Sequence, residues 1–595
     1  MHIASESLQS SPESTPLSGE AHMQTWDGSE LFYRYWLPAS PCDRAVVLFH
    51  GGHEHSGRFL ELVEQLELED FAIFAWDARG HGFSPGSRGF ARHFLDYVRD
   101  AEAFVRHLAD EYRIPLEEMA LIGHSVGSVI AATWVNDYAP PIRAMVLGSP
   151  ALNIKLYVPA ALTGLRLLQR LRPDAHINSY VKPGMLTHDQ AEAAARRADP
   201  LISPRIAVRV LTSLFDTAER LIDSANGIRV PTLILSAGSD RVVQQAAQRR
   251  LFDNLGSREK LFRNLPGFYH EIFHERDRHI PIAAAREFIT RQFTRTPSRM
   301  MQTGAGADTG ACNQDRYKQL QQPLPLLSPT RWWFAASRFG LKTLGRLSAG
   351  VRLGWESGFD SGRTLDYVYR NQARGLGPLG RLIDRHYLDS AGWVGIRQRR
   401  LHLERQLNRA IDDLRAPGQK VHIVDMAGGP GRYLCEVMRQ RQDPAISAVC
   451  RDRDLAGLAE GRELARASGV TRLTHEPGDA FDPDSIATLS PRPDIVIVSG
   501  LYELFDDNAR VLRSLRAIHR QMRPGGWLIY TNQPHHPQLE LIARTLINRD
   551  GDPWVMRLRP QSEINDLVRQ AGFTPQSQLQ DDDGIFTVTS ALREA

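Results

Sequence analysis

The first candidate for chemistry is a serine between two glycines, in residues 123–127 (GHSVG). A strand-like apolar run, residues 120–122, precedes it and a helix-like run, residues 128–134, follows it. A serine on a tight strand-to-helix turn projects its hydroxyl above a sheet, and the helix N-terminus behind it offers donors to an oxyanion. The pattern therefore predicts that Ser125 is a nucleophile.

Two residues that would activate this serine follow in the order acid, then histidine. Asp240 comes just after the apolar run 232–235, and His270 lies in the loop PGFYHE. His270 would take the proton of Ser125, and Asp240 would orient the imidazole and stabilise its charged form. Taken singly, a solvated aspartate and a surface histidine are the alternative interpretations. The order of all three favours a catalytic triad.

The early loop 50–57 (HGGHEHSG) is expected to supply a further donor for the oxyanion. We assign the oxyanion hole to the backbone N–H groups of Gly52 and Val126. The three histidines of the loop also suggest a metal site. They are crowded on one loop without a distant ligand group, which favours a role in shaping the loop, and no metal is expected.

Five segments carry a resemblance to a known family: HGGHEHSGR from His50, DARGHGFS from Asp77, GHSVG around Ser125, GSD ending at Asp240, and YHE around His270. Over residues 26–293 they resemble the monoglyceride lipase and lysophospholipase branch of the α/β-hydrolases. The resemblance implies hydrolysis of carboxylic esters of single-chain lipids, with a cap at about residues 151–223. The chain departs from that branch at His53, where glycine is usual. A peptidase and a small-ester esterase stay open, since a triad does not define its substrate.

A glycine-rich turn at residues 425–431 (DMAGGPG) begins the second group of candidate residues. Ala427, Gly429 and Gly431 are small enough to let a nucleotide-like ligand lie against the backbone. The dinucleotide fingerprint needs a glycine three residues after Gly431, and that position is Leu434. The turn therefore predicts a nucleotide-like cofactor other than NAD or FAD.

Acidic residues follow the next strand-like runs in the same half. Asp452 lies about twenty residues beyond the turn, where a ribose diol is held in related folds. Asp479, followed by Ala480, suits an adenine amino group. With residues 524–526 (PGG), this order resembles class I S-adenosylmethionine-dependent methyltransferases, with an unrelated doubly wound domain as the alternative. The resemblance implies a Rossmann-like fold and assigns S-adenosylmethionine to Asp425, Ala427, Gly429, Gly431, Asp452, Asp479 and Ala480.

The site of the methyl acceptor is predicted from position. Tyr502 and Glu503 follow the fourth strand-like run, where acceptor-positioning groups usually lie in this fold. His535, paired with His536 in QPHHP, would act as a general base, or the pair would form an exposed turn. The acceptor itself is not identified. A regulatory or scaffolding module that binds the cofactor is the alternative to a second enzyme.

The amino-acid composition limits the classes of partner that the chain is expected to bind. Of its 595 residues 42% are hydrophobic and 24% charged, and the formal net charge is +3. These values are ordinary for a globular protein and argue against nucleic acid as a partner. The four cysteines form no CxxC pair, which excludes a disulfide framework and fits the cytoplasm. The expected partners are a small-molecule or lipid ester and an unidentified methyl acceptor.

Positions of the motifs and of low-complexity stretches predict an α/β chain with two catalytic domains. No secretory leader is expected at the N-terminus, and no run of about 18 apolar residues predicts a membrane span. The predicted parts are a disordered tail (1–22), an α/β-hydrolase domain (23–293), a linker (294–329), a helical segment (330–415) and a methyltransferase domain (416–595).

A basic, aromatic stretch, residues 331–352, precedes the methyltransferase motifs and has no acidic residue before Glu356. Two interpretations stay open. The stretch would lie on an anionic membrane surface, which places the protein at the inner membrane face. Alternatively, it forms a helix that packs its aromatic side chains on the methyltransferase domain.

Overall fold

The computed structural model describes residues 17–295, 311–415 and 419–594, and the chain divides into two compact units, Met1–Arg299 and Met300–Ala595. Residues 1–16 of the predicted tail and 296–310 of the predicted linker lie outside the described residues. Within the described ranges, each helix is too short or too polar to span a bilayer.

The first unit is built on short, apolar strands. Their bounds are β1 (Leu17–Gln24), β2 (Glu30–Leu37), β3 (Ala45–Phe49), β4 (Ala72–Trp76), β5 (Met119–His124), β6 (Ala144–Gly148), β7 (His176–Asn178), β8 (Arg205–Ala207), β9 (Thr232–Ala237) and β10 (Lys260–Leu265). Eight of them form one sheet in the order β1-β2-β4-β3-β5-β6-β9-β10, in which the β1-β2 and β2-β4 pairs are antiparallel and the others parallel. Along β3, Val47 and Phe49 enter one apolar core and Val46 and Leu48 enter the other, because successive side chains point to opposite faces.

Helices cover both faces of this sheet, as a parallel sheet requires. Their bounds are α1 (Leu60–Leu66), α2 (Phe94–Glu111), α3 (Val126–Tyr138), α4 (Ala161–Leu171), α5 (Gln190–Ala198), α6 (Val208–Ser224), α7 (Gln245–Asn254) and α8 (His279–Thr294), with 3₁₀ turns at Ser56–Phe59, Leu116–Glu118, Pro183–Met185, Ala225–Gly227 and Ile272–His274. The α/β-hydrolase fold expected for this half is confirmed. Helices α4, α5 and α6 with the β7-β8 pair lie between β6 and β9, in the chain segment predicted to form a cap.

The predicted tail was too long, because strand β1 begins at Leu17. Its residues pair with β2 from Leu17 opposite Leu37 to Gln24 opposite Glu30, and Met23 enters the core. Pairing with a strand that is itself half-buried gives this polar segment hydrogen-bond partners that its composition does not predict.

The second unit begins with a helical region. Its helices are α9 (Ala311–Gln321), α10 (Pro329–Lys342), α11 (Ala349–Ser357), α12 (Gly362–Arg370), α13 (Gly377–Leu388), α14 (Ala391–Leu414), α15 (Arg432–Arg441), α16 (Leu455–Ala467), α17 (Pro483–Ala487), α18 (Asn508–Gln521), α19 (Leu539–Thr545) and α20 (Gln561–Gln570), with 3₁₀ turns at Leu344–Leu347 and Tyr502–Leu504. Helix α9 falls inside the predicted linker, which is therefore corrected. It is held because Leu320 is buried with Leu539 and Ile542.

The strands of the second unit are β11 (Val421–Met426), β12 (Ile446–Asp452), β13 (Leu473–Pro477), β14 (Ile495–Val498), β15 (Trp527–Asn532), β16 (Phe573–Gln580) and β17 (Thr587–Arg593). They form one sheet in the order β13-β12-β11-β14-β15-β17-β16, in which only β17 runs antiparallel to its neighbours. The Rossmann-like, class I methyltransferase fold expected for this half is confirmed. Its parallel strands end at one edge, and ligands of such sheets bind at that edge.

Candidate active sites

Ser125 lies on a sharp turn between β5 and α3, with a backbone φ of +51°. The glycines on either side are required by close packing. A Cβ at Gly123 would come within 2.7 Å of Ser128 Cα, and one at Gly127 within 2.1 Å of the Phe49 carbonyl oxygen. The strained serine conformation is therefore held by its neighbours, as at the nucleophile of α/β-hydrolases.

The structure brings together the three residues predicted to form a triad. His270 Nε2 lies 2.7 Å from Ser125 Oγ, and His270 Nδ1 lies 2.8 Å from Asp240 Oδ2. Asp240 Oδ1 accepts hydrogen bonds from the backbone N–H groups of Val242 and Val243. Burial alone raises the pKa of Asp240, but the nearby His270 and these hydrogen bonds lower it below its usual value. The carboxylate is thus kept charged where it orients the imidazole.

The two residues predicted to form the oxyanion hole are neighbours in space. A Cβ placed on Gly52 would lie 3.1 Å from Val126 Cγ2, so the loop after β3 runs against the first residue of α3. Both residues line the cavity that contains Ser125. Their backbone N–H groups belong to the loop and to the helix N-terminus that are expected to stabilise an oxyanion.

The three histidines of the loop 50–57 serve different contacts. His50 Nε2 accepts the backbone N–H of Ala78 at 3.0 Å, and His55 Nε2 lies 2.9 Å from Asp199. His53 adopts a φ of +66°, which explains why glycine is usual at this position. The histidines therefore shape the loop and do not converge on one point.

A cavity of about 640 Å³ lies over Ser125 and is roofed by the predicted cap. Apolar side chains of α4 and α6 line it, among them Leu165, Leu168, Val210 and Leu214. Helix α4 has no buried residue. Leu165 and Leu168 instead face the cavity over Ser125.

Sequence reasoning missed a buried ionic cluster beside the triad. Arg196, from cap helix α5, bonds to both Glu54 and Glu271, the residue after His270. Burial raises the pKa of Glu271 to about 7. The signals were Glu54 in the oxyanion loop and Glu271 beside the catalytic histidine, but their shared partner lies far along the chain.

Within the described ranges, the same cluster is the one group of three or more acidic, histidine or cysteine residues whose ligand atoms converge. Atoms of Glu54, Glu271 and His274 lie within 4.8 Å of one another. The Arg196 guanidinium already supplies positive charge to both carboxylates. We therefore interpret the cluster as a link between the cap and the His270 loop.

In the second unit, Asp425 lies at the end of β11 and is fully buried. Neither of its oxygens has a hydrogen-bond partner in the described part of the chain. Burial raises its pKa to about 7, with the neighbouring Tyr433 hydroxyl acting in the opposite direction and Asp452 adding a smaller upward contribution. The following turn has positive φ at Ala427 (60°), Gly429 (57°) and Gly431 (65°), which brings bare backbone to the sheet edge.

The other predicted cofactor residues lie along the same sheet edge. Asp452 ends β12, and its carboxylate accepts the backbone N–H groups of Gly429 and Asp454. Asp479 follows β13 and accepts the N–H of Phe481, while Ala480 is buried in the core. The structure thus brings the three aspartates to the ends of adjacent strands, with Asp452 also holding the glycine-rich turn.

The predicted acceptor residues are separated by the structure. Glu503 lines a cavity at the ends of β14 and β15, whereas the hydroxyl of Tyr502 bonds to Ser514 in the core. His535 is not in the cavity wall, and His536 takes that place. Burial lowers the pKa of His536 to about 4. Neighbouring residues of a turn point in different directions, so sequence position alone did not show which of the two histidines lines the cavity.

Three of the four aromatic side chains of α10 do not pack on the second unit as one interpretation required. Trp332, Trp333 and Phe339 are 67%, 58% and 70% exposed. The opposite side of the helix packs on α19 and places Leu341 in the wall of the same cavity as Glu503.

Comparison with known proteins assigns the second half of the chain. The sequence profile of the family described as "Putative methyltransferase" matches residues 285–593, more than half of the chain. The chain belongs to this family. A relative that is 44% identical over 586 residues, covering 98% of this chain and 99% of its own, is "Uncharacterized protein YnbC" of Escherichia coli (strain K12).

The first half matches hydrolases. The profile described as "Serine aminopeptidase, S33" covers residues 40–277. Phospholipase YtpA of Bacillus subtilis (strain 168) is 29% identical over 246 residues, 41% of this chain and 93% of that protein. Monoglyceride lipase of Homo sapiens is 29% identical over 268 residues, 44% of this chain and 87% of that protein. The expected fusion of a hydrolase-family domain with a methyltransferase-family domain is therefore confirmed.

Proposed function

We propose that the first unit is a serine hydrolase of carboxylic esters with one apolar chain, such as monoacylglycerols or lysophospholipids. The observation that carries this proposal is the hydrogen-bonded series Ser125, His270 and Asp240 beside an apolar cavity of about 640 Å³. The printed names of two relatives, a phospholipase and a monoglyceride lipase, support the same substrate class.

The geometry suits acyl transfer through the serine. His270 Nε2 takes the hydroxyl proton as Ser125 Oγ attacks the ester carbonyl. The N–H groups of Gly52 and Val126 stabilise the oxyanion, and one such donor is worth about 10²–10³ in rate. His270 then protonates the leaving alcohol, and water releases the acid from the acyl-enzyme in the same way.

A peptidase is the second candidate, because the matched profile is described as a serine aminopeptidase. An aminopeptidase needs a carboxylate for the terminal ammonium of its substrate, and Glu54 and Glu271 line the cavity. Arg196 bonds both carboxylates and offsets their charge. The neutralised pair and the apolar cap favour an ester with an uncharged acyl chain.

The test compares monoacylglycerol, lysophospholipid, nitrophenyl ester and aminoacyl nitroanilide as substrates of the full chain. We expect the lipid esters to be cleaved fastest, and Ser125→Ala to lower the rate by about 10⁴-fold or more. Nitroanilide cleavage faster than that of any ester would assign a peptidase. Equal rates for Ser125→Ala and the unaltered chain would exclude Ser125 as the nucleophile.

We propose that the second unit binds S-adenosylmethionine at the ends of β11, β12 and β13 and transfers its methyl group. The described residues fit this cofactor, because buried Asp425 has two unpartnered oxygens beside a turn of small residues. When bound, S-adenosylmethionine supplies a methyl group on a positively charged sulfonium. Asp425 would face its positive charge, Asp452 its ribose hydroxyls and Asp479 its adenine amino group.

Calorimetric titration with S-adenosylmethionine tests this proposal. We expect binding to the full chain and loss of binding in Asp452→Ala. Asp454→Ala is the matched control, because that carboxylate caps α16 and faces the N–H of Ala456. Absence of binding to the unaltered chain would overturn the proposal. Binding without methyl transfer to any lysate component would favour a regulatory module.

A further inference from the structure

A cavity of about 230 Å³ lies in the second unit, at the ends of β14 and β15. Its wall is largely apolar and includes the aromatic side chains of Phe359, Trp393, Trp554 and Phe586. Gly500, which also lines it, follows β14, the strand next to β11 and its proposed cofactor turn. The cavity is therefore placed to hold a methyl acceptor, an inference that rests on the proposed methyl transfer.

The wall contains buried polar atoms without hydrogen-bond partners among the described residues. They are Asp360 Oδ1, Tyr387 Oη, Arg399 Nε, Glu503 Oε2, Gln533 Nε2 and Trp554 Nε1. Leaving such an atom unpaired costs about 1–3 kcal/mol, so their concentration in one wall indicates a ligand. Three are donors, two are acceptors and the Tyr387 hydroxyl can be either, which suits a ligand that both accepts and donates hydrogen bonds.

The charges around the cavity cancel one another. Arg399 Nη1 lies 3.9 Å from Glu503 Oε1, and Arg549 Nε lies 3.4 Å from Asp360 Oδ2. His536 is neutral because burial lowers its pKa to about 4. Because these carboxylates and guanidinium groups already face one another, an uncharged ligand is favoured.

The helix that closes one side of this cavity exposes an apolar and basic surface. Leu341 of α10 lines the cavity, while Trp332, Trp333 and Phe339 of the same helix are exposed. Nearby Leu327 is 93% exposed. The stretch from Arg331 carries basic residues and no acidic residue before Glu356, and this combination matches an anionic lipid surface.

We propose that the methyl acceptor is an uncharged, hydroxyl-bearing amphiphile that enters this cavity from an anionic membrane surface contacted by α10. A cavity of about 230 Å³ is below the usual range for a drug-sized ligand, so it would hold the polar head while a long chain stays outside. A membrane at the outer face of α10 would accept that chain.

Glu503 is the general base of this proposal. Its Oε1 accepts the hydroxyl of Thr531 at 2.6 Å, which fixes the carboxylate and leaves Oε2 for the acceptor. The acceptor oxygen would bond to the methyl carbon as the carbon–sulfur bond of the cofactor breaks. The electron pair of that broken bond would stay on sulfur. The hydroxyl proton passes to Glu503 Oε2. The products are a methyl ether and a neutral thioether.

The first test uses three soluble probes with the same apolar body: 4-butylphenol, 4-butylbenzoate and 4-butylbenzylamine. Calorimetry on the full chain is expected to show the neutral phenol binding at least about tenfold more tightly than either charged probe. Trp554→Phe keeps an aromatic ring but removes the Nε1–H donor, and should weaken binding of the phenol by about fivefold. Tighter binding of the benzoate or the amine would overturn the assignment.

Glu503→Gln separates binding from proton transfer. The amide keeps its shape, so phenol binding should stay within about threefold, while methyl transfer should fall by about 10²-fold or more. Methyl transfer at the unaltered rate would exclude Glu503 as the base.

The second test measures flotation of the full chain with vesicles of phosphatidylcholine, alone or mixed with phosphatidylglycerol. We expect binding to the anionic vesicles only, reduced by about tenfold in Trp332→Ser/Trp333→Ser and in Lys342→Glu/Arg346→Glu. Leu455→Ser is the control, since this leucine is 66% exposed and lies outside the stretch. Equal flotation of all variants would overturn the membrane contact.

Titration with S-adenosylmethionine separates failure of the acceptor proposal from failure of the methyl-transfer proposal. If the cofactor binds and the phenol does not, the acceptor assignment fails while methyl transfer stands. If the phenol binds and the cofactor does not, the methyl-transfer proposal fails instead. Methylation of 4-hexadecylphenol in vesicles that is equally fast in Trp332→Ser/Trp333→Ser would overturn entry from the membrane.

Discussion

The two sites differ in how far the protein satisfies its own polar groups. In the first unit, Ser125, His270 and Asp240 bond to one another, and both Asp240 oxygens have partners. In the second, both oxygens of Asp425 and one of Glu503 have none in the described ranges. Buried polar groups without partners gain most from a ligand. We infer that the triad is assembled before substrate arrives, whereas the second site is completed by its ligands.

The strongest way to break this comparison is to disturb the preassembled triad. In Asp240→Asn the histidine would hold the wrong tautomer, so ester hydrolysis should fall by about 10⁴-fold. Calorimetric binding of S-adenosylmethionine should not change, because it belongs to the other unit. A hydrolysis rate within tenfold of the unaltered chain would contradict the role of Asp240.

A smaller effect tests how the fold holds the nucleophile. Gly127→Ala would place a methyl group 2.1 Å from the Phe49 carbonyl oxygen, and should destabilise the first unit by about 3 kcal/mol or more. Gly164→Ala is the matched control in α4, because a Cβ there meets nothing within 4 Å. Denaturant unfolding measures both, and equal stability of the two variants would contradict the packing argument.

The ionic cluster gives the preassembled site a dependence on pH. The pKa of Glu271 is raised from 4.5 to about 7. Between these two pH values the folded protein therefore keeps a proton on Glu271 that the unfolded chain releases. Its contribution to stability is present below pH 4.5 and is lost as pH rises through 7. The unfolding free energy of the unaltered chain, relative to Glu271→Gln, should therefore drop by about 3 kcal/mol over this range.

Exposed Glu69 is the control for that titration, because Glu69→Gln removes a carboxylate without changing the buried cluster. Denaturant unfolding at several pH values gives the comparison. A difference between the unaltered chain and Glu271→Gln that does not vary with pH would show that Glu271 has the same pKa folded and unfolded.

The smallest expected effect sharpens the comparison from the side of the second unit. Because burial raises the pKa of Asp425 to about 7, the residue is neutral below that pH and attracts a cation only above it. Affinity for S-adenosylmethionine should fall by up to about tenfold per pH unit below 7. Asp425→Asn should bind weakly at every pH, and a wild-type-like pH profile in this variant would exclude Asp425 as the titrating group.

Much of the fold and of the first site could be predicted because their signals are local. The apolar runs indicated the parallel strands, and GHSVG placed Ser125 on its turn. Helix α9 and strand β1 could not be predicted from polar composition, because they depend on partners such as Leu320 with Leu539, or β1 with β2. Tertiary contacts outweigh weak local propensities in such segments.

By itself, the sequence determined the order of the two domains, the residues of the triad and the acidic residues at the strand ends of the second unit. Only the tertiary structure decided which side chains share a cavity. In it, His536 and not His535 lines the cavity of the second unit, and the Tyr502 hydroxyl bonds within the core. Arg196 bonds to Glu54 and Glu271, and Trp332 and Trp333 are exposed. A sequence motif predicts local backbone geometry, whereas the direction and partners of a side chain depend on residues that are distant in the chain.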